Sequence, residues 1–261
     1  MNRLARTNVT PNQISISSVF AAAAAAVSFV ELPPIWAPIA GLCALFVWHV
    51  LDGADGDLAR RTGRASASGE LIDGVCDHTS QALVYVSLAI VLQRSLGFWA
   101  WPLAVAAALS HAVQSNAYET GRKTYRHWVY QADWMRQRPD VSRSLAGLAN
   151  RGYLAAAAIF SPNEEALETA MHREISRGRE FAAKARNLYG RHHVELVKRS
   201  GLLGSTGRSL AVAASFLAGT PLWFFLYEIA ILNVALVAFV MWRARVNIRV
   251  IRELGRLGSE L

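Results

Sequence analysis

Four aspartates carry most of the chemical potential of this chain. Asp52 and Asp55 are three residues apart, and Asp73 and Asp77 four apart, within the stretch LDGADGDLARRTGRASASGELIDGVCD from Leu51 to Asp77. On helices, either spacing puts both carboxylates on one face. Two such helix ends facing each other would gather four carboxylates, which repel unless a proton or a cation lies between them. Carboxylate oxygens suit hard divalent ions, Mg²⁺, Mn²⁺ or Ca²⁺, and no cysteine or histidine arrangement suggests Zn²⁺. Between the acids, Gly56 and Ala59 remove bulk and let a ligand approach the helix. Arg60 can pair a phosphate, and Gly69 opens the second arm. Acids, small residues and one arginine together describe a metal–diphosphate site. Asp57, Glu70, Arg61 and Arg64 read equally well as water-facing loop charges. Asp77 does not, because it lies in the apolar start of a span, where an acid is costly and usually functional.

The elements that must position these residues are membrane helices. Of the 261 residues, 53% are hydrophobic and 18% charged, well short of the quarter or so charged in soluble domains. So much apolar surface excludes a disordered chain. With Gly at 18 and Cys at 2, collagen-like and disulfide-rich chains are excluded too. Cys43 and Cys76 read as small buried hydrophobes. The fold expected is all-α: one polytopic membrane domain over residues 1–261, with six transmembrane helices and a cytoplasmic helical insertion. A crossing takes about 20 mostly apolar residues, and spans are expected near 14–32, 35–51, 75–93, 98–118, 201–219 and 222–242. Pro33-Pro34 suits a turn and a helix start, and Trp99 and Trp101 suit interfacial anchors. The segment at 201–219 carries Arg208 and several glycines, but it is needed for an even number of crossings. Residues from about 121 to 200 form the insertion, expected to lie on the membrane face. Within it Leu154 to Phe160 is too short to span, and Glu164 to Val197 has helical composition. No cleavable signal peptide is evident at the basic N-terminus.

Net charge is +8, and its placement orients the chain. The segment from Gly121 to Arg208 holds sixteen lysines and arginines against eight acids, and the tail from Arg243 adds five arginines. The three expected outer loops hold one arginine between them. This positive-inside bias puts the N-terminus and the aspartates on the cytoplasmic side of a plasma (inner) membrane. Basic charge also suits nucleic acid, but no nucleic-acid module accompanies it, so membrane lipids are the expected partners and nucleic acid is not.

The spacing Asp-x2-Asp-Gly-x2-Ala-Arg-x8-Gly-x3-Asp-x3-Asp resembles the signature of the CDP-alcohol phosphotransferases (CDP-alcohol phosphatidyltransferases). Asp52, Asp55, Gly56, Ala59, Arg60, Gly69, Asp73 and Asp77 match every fixed position, with RTGRASAS as the eight-residue gap. Thr10-Pro11-Asn12, before the first span, also resembles the family's N-terminal approach. The resemblance implies a phospholipid-synthesis enzyme that moves a substituted phosphate from a CDP-linked donor to the hydroxyl of an alcohol acceptor, releasing CMP. It implies one or two Mg²⁺ or Mn²⁺ ions held by Asp52, Asp55, Asp73 and Asp77, with Asp77 as general base. CDP would be met by Asp52, Asp55, Gly56, Ala59, Arg60 and Gly69. The insertion is longer than the family leads one to expect, so nothing is carried over to it.

The acceptor side rests on the fourth span. His111, Gln114, Ser115, Tyr118 and Arg122 fall on one helical stripe, and Lys123 and Arg126 extend its basic end. Polar groups on a membrane helix face protein or a water-filled cavity. The stripe reads as an acceptor-binding surface through His111, Gln114, Tyr118, Arg122 and Lys123, or as interhelical hydrogen bonding, including a homodimer contact. The basic end suits an anionic acceptor and a CDP-diacylglycerol donor. The reverse polarity, a CDP-headgroup given to a lipid hydroxyl, fits the same motif. His49 and His78 read as interfacial histidines with second roles near a metal, and His192-His193 as solvent-facing. A divalent-cation transporter would explain the acids but not Gly56, Ala59, Arg60 and the fixed gap. A non-catalytic scaffold is at odds with four intact aspartates.

Overall fold

The computed structural model describes residues 7–131 and 161–257. Among these the regular structure is entirely helical. The insertion residues 132–160, including the Leu154–Phe160 stretch, lie outside the described residues. Four stretches of helix are long and apolar enough to cross a membrane: Pro11–Glu31, Ala37–Thr62, Leu71–Tyr130 and Leu222–Leu257. The third contains two helices joined by a 3₁₀ turn at Gly97–Trp99. The chain is an integral membrane protein.

Helix α1 (Pro11–Glu31) starts from a capping box. The Thr10 hydroxyl accepts from the Gln13 amide at 3.3 Å, and the Gln13 side chain accepts from the Thr10 amide at 2.9 Å. Two orphan donors of the first turn are thereby satisfied, and Pro11 has no amide hydrogen to lose. Helix α2 (Ala37–Thr62) continues eleven residues past the expected end of its span and stops at Gly63, whose φ of 65° is left-handed. Such a cap favours glycine, because a Cβ is penalised there. Helix α3 (Ala67–Leu96) begins almost at once, its first turn capped by the Ser66 hydroxyl accepting from the Gly69 amide at 3.1 Å. The eight-residue gap of the motif is therefore the end of one helix, a tight turn and the start of the next. Helix α4 covers Ala100–Tyr130.

Glu164 to Val197 is helical as expected, but in two pieces, α5 (Glu164–Ser176) and α6 (Arg179–Ser200). They break at Gly178, whose φ is 129°. The expected span at 201–219 is a 3₁₀ turn followed by α7 (Ser205–Leu217), only 13 residues long. At 1.5 Å per residue that is about 20 Å, short of a hydrocarbon core of about 30 Å. The last helix, α8 (Leu222–Leu257), opens into a π turn at Tyr227–Ile231.

These helices form two compact units. The first comprises Met1–Ser110 and Ser205–Ala230. In it α1 packs on α2 and α3, and α2 packs on α7. Its core joins Ala22, Ala25 and Phe29 of α1 to Leu45 and Trp48 of α2 and Leu88 of α3. Alanines at the contact let backbones approach closely, which substitutes for the hydrophobic drive that lipid does not supply. Gly41 of α2 lies under the Phe29 ring, where a Cβ would overlap it. The second unit comprises His111–Gly204 and Ile231–Leu261. In it α5 packs on α6, and both pack on α8. Two side chains are placed differently from expectation: Cys43 is exposed, and His193 is buried.

Candidate active site

The first unit brings the motif together on α2 and α3. Asp52 and Asp55 project from the second half of α2, Asp73 and Asp77 from the first half of α3. Asp52 is within hydrogen-bonding range of Asp77, and Asp55 of Asp73. The four carboxylates thus meet as two cross-helix pairs. Among the described residues no three His, Cys, Asp or Glu side chains stand close enough to form a single metal shell. The donors are all oxygen and of one charge, which fits a hard divalent cation in type; their arrangement is paired rather than a closed cage.

Asp55 is the most enclosed of the four at 3% exposed. The Ser15 hydroxyl of α1, itself 3% exposed, donates to its Oδ2 at 2.5 Å. The Gly56 amide also donates to Asp55 Oδ1. Two donors on one carboxylate hold its rotamer. Ser15 escapes a reading of the sequence, because its partner is 40 residues away and a serine in an alanine-rich span carries no mark of its own.

The small residues sit where bulk would intrude. A Cβ on Gly56 would lie 3.2 Å from Nη1 of Arg60. The exposed Arg60 guanidinium folds back over that glycine and pairs Asp57 at 3.2 Å. Asp57 also meets Arg61 at 3.3 Å, so it belongs to a surface charge group. A Cβ on Gly69 would lie 3.2 Å from the Ser66 hydroxyl and 3.7 Å from Asn12 Oδ1, which puts the start of α1 beside the start of α3. Ala59 is half-buried on α2.

Around the pairs, α7 is tied in by polar contacts. His49, one turn before Asp52, has its Nε2 2.8 Å from the Ser209 hydroxyl. The neighbouring Arg208 donates from Nε to Glu228 in the π turn at 2.7 Å, both side chains being buried. Tyr85 of α3 is within hydrogen-bonding range of Glu228. His78 is exposed, its Nδ1 donating to the Gly74 carbonyl at 2.6 Å.

The residues read as an acceptor surface lie on the second unit's part of α4. Gln114 is fully buried and donates to Asn233 of α8 at 2.9 Å, an interhelical bond within the chain. His111 is buried. Tyr118, Arg122 and Lys123 are half-buried. The Arg122 guanidinium pairs Glu119 at 3.2 Å and lies 5.5 Å from the centre of the Tyr118 ring.

A sequence model of the CDP-alcohol phosphatidyltransferase family matches residues 8–157, more than half of the chain. The chain belongs to the CDP-alcohol phosphatidyltransferase family. It is similar to cholinephosphotransferase 1 of Gallus gallus, 41% identical over 63 residues, covering 24% of this chain and 19% of that protein. It is similar also to archaetidylinositol phosphate synthase of Aeropyrum pernix, 34% identical over 87 residues, covering 33% of this chain and 43% of that protein. Choline/ethanolaminephosphotransferase 2 of Arabidopsis thaliana is 39% identical over 70 residues, 26% of this chain and 18% of that protein. Each similarity spans less than half of the relative's own length. No solved structure matches the chain. The part matched by the CDP-alcohol phosphatidyltransferase family covers α1 to α4, hence all four aspartates, Ser15 and the α4 stripe; α5 to α8 lie beyond it.

Proposed function

We propose that this protein is a phospholipid-synthesis enzyme that transfers a substituted phosphate from a CDP-linked donor to the hydroxyl of an alcohol acceptor, releasing CMP. The observation that carries this reading is the paired aspartates of α2 and α3, within a chain of this family. Asp52, Asp55, Asp73 and Asp77 would hold Mg²⁺ or Mn²⁺, which would supply charge compensation for the diphosphate. Ser15 fixes the Asp55 carboxylate. Asp77 takes the proton of the acceptor hydroxyl as the bond to phosphorus forms and the bond to the CMP oxygen breaks. Gly56, Ala59 and Gly69 leave room for the nucleotide, and Arg60 swings from Asp57 to brace its phosphates.

The donor favoured is CDP-diacylglycerol with a small polar acceptor, because Arg122 and Lys123 give α4 a basic end suited to an anionic alcohol. His111, Gln114 and Tyr118 complete that acceptor surface, and the same stripe would also suit a homodimer contact. The names of the choline relatives favour the reverse polarity, a CDP-headgroup and a lipid hydroxyl. In the six-crossing layout α7 is a short fifth crossing whose Arg208 is neutralised by Glu228. Residues 1–261 then make one membrane domain, with the aspartates on the cytoplasmic side of the inner membrane and the insertion in the cytoplasm.

The test is to incubate the purified chain with CDP-diacylglycerol and a panel of alcohols, and separately with CDP-choline and diacylglycerol, and to identify products by mass. A product in one arm fixes the polarity. Turnover should vanish with a chelator and return with Mg²⁺ or Mn²⁺. No CMP in either arm, or undiminished turnover in excess chelator, would remove this reading. A cation transporter would instead give ion flux in proteoliposomes without product.

A further inference from the structure

The outward face of α8 changes character once along its length. Val234, Val237 and Met241 are 71%, 58% and 51% exposed, and Arg245, Arg249 and Arg252 that follow are exposed as well. At about 100° per residue all six fall within one sector about 120° wide, so the arginines continue the apolar stripe without leaving its face. The opposite face is packed: Phe239, Val246 and Val250 are buried, and Arg243 bonds Glu164 of α5 at 2.8 Å. This helix therefore carries two kinds of arginine, one enclosed and paired, the others in line with the surface that meets lipid.

An exposed apolar stripe on a membrane span faces acyl chains. Where the same stripe turns to arginine, between Met241 and Arg245, the hydrocarbon must give way to headgroups. We propose that Arg245, Arg249 and Arg252 form a binding track for the anionic phospholipid headgroups of the leaflet at the C-terminal end of α8. Guanidinium groups pair phosphate oxygens two at a time, and a net-negative headgroup adds an attraction that a zwitterionic one lacks. Position along the helix grades the contribution. At 1.5 Å per residue, Arg249 lies about 6 Å and Arg252 about 10 Å beyond Arg245. A headgroup layer is about 5–8 Å deep. Arg245 and Arg249 thus sit at headgroup level, and Arg252 reaches it only by extending its side chain back toward the bilayer.

The test is native mass spectrometry of the full chain released from detergent containing equimolar phosphatidylglycerol and phosphatidylcholine. The wild type should retain phosphatidylglycerol in preference. Arg245→Gln and Arg249→Gln should each lower that preference about fivefold, the scale of one basic residue at an anionic surface, and Arg252→Gln about twofold. Arg173→Gln with Arg179→Gln, exposed positions on α5 and α6, should leave it unchanged. The proposal is overturned if the triple variant keeps the wild-type preference, if Arg252→Gln costs more than Arg245→Gln, or if the control pair lowers the preference as much as the stripe does, which would make net charge the whole cause.

Discussion

Arg208 and Glu228 join opposite charges at 2.7 Å with both side chains sealed from solvent, whereas Asp52 meets Asp77 and Asp55 meets Asp73 with like group against like. Both sets lie in the first unit, and both set ionisable groups against each other within a membrane protein. The first is internally consistent. Desolvation of each charge is opposed by the attraction of its partner, and the pair ties α7 to the π turn of α8. The second conflicts with itself, because two carboxylates at hydrogen-bonding range need a proton or a cation between them. A group that breaks a local rule without structural gain marks function rather than stability. On the proposed function, the difference divides the polar interior into a part that holds the helices and a part that the helices hold for chemistry.

The sharpest way to break this division is Asp77→Asn. The amide keeps the shape and the hydrogen bond to Asp52 but cannot take a proton from an acceptor. Turnover of a CDP donor should fall at least about a hundredfold, while the melting temperature in detergent stays level or rises, because one like charge is gone. Retention of a tenth of the wild-type rate would deny Asp77 its role as base, and a collapse in stability would place it among the structural groups.

The reverse is expected of Arg208→Ala. Leaving Glu228 charged and without its counter-charge costs on the order of 3–5 kcal/mol, and thermal unfolding should show it even where residual turnover per folded molecule is near normal. Arg208→Met combined with Glu228→Gln should recover much of the loss, because the uncompensated charge is removed. A single variant as stable as wild type would show that the pair contributes nothing.

Ser15→Ala falls between the two classes. It removes the hydroxyl that donates to Asp55 and should cost about 1–2 kcal/mol of stability. If the bond positions the carboxylate, kcat should fall by a further several-fold, and Ser15→Thr should restore both. A stability loss with unchanged kcat would assign Ser15 to packing alone.

What could be read from the residues follows the same line. The aspartates were legible because their spacing matches the helical period, and α2 and α3 do carry them as paired faces. The apolar runs of α1 to α4 were legible because crossing a bilayer leaves little freedom of composition. The partners were not. Ser15 and Asp55 are 40 residues apart, Arg208 and Glu228 are 20, and nothing local announces either pair. Arg208 counted against a span at 201–219 because its counter-charge lay on another helix. His193 was read as solvent-facing from its charged neighbours, yet Ala182, Ala185, Tyr189, Leu196 and Ser200 are buried at the helical period, and His193 lies on that same face. The signal was present, but the local charge density outweighed it.

That buried histidine gives the smallest and most specific expectation. His193 is 4% exposed, stacked on the Tyr189 ring with centroids 3.9 Å apart. Its Nδ1 donates to the Tyr189 carbonyl at 3.0 Å, and its Nε2 is 2.8 Å from Asn247 Oδ1 of α8. Asn247 is anchored in turn by donating to the Pro162 carbonyl at 2.9 Å. Burial pushes the imidazole below its ordinary value; the Asn247 and Tyr189 hydrogen bonds oppose this, Arg243 adds to it, and Glu164 acts against it. With the folded value depressed, the unfolded chain binds the proton more readily. The contribution of His193 is therefore fully present above the unfolded value of about 6.5 and is lost as pH falls through the folded one. Melting temperatures in detergent should be level from pH about 8 to 7 and decline below about 6.5. His193→Gln, which cannot titrate, should melt somewhat lower at the alkaline end and decline less toward acid. Parallel profiles for the two proteins would place the acid sensitivity in other groups.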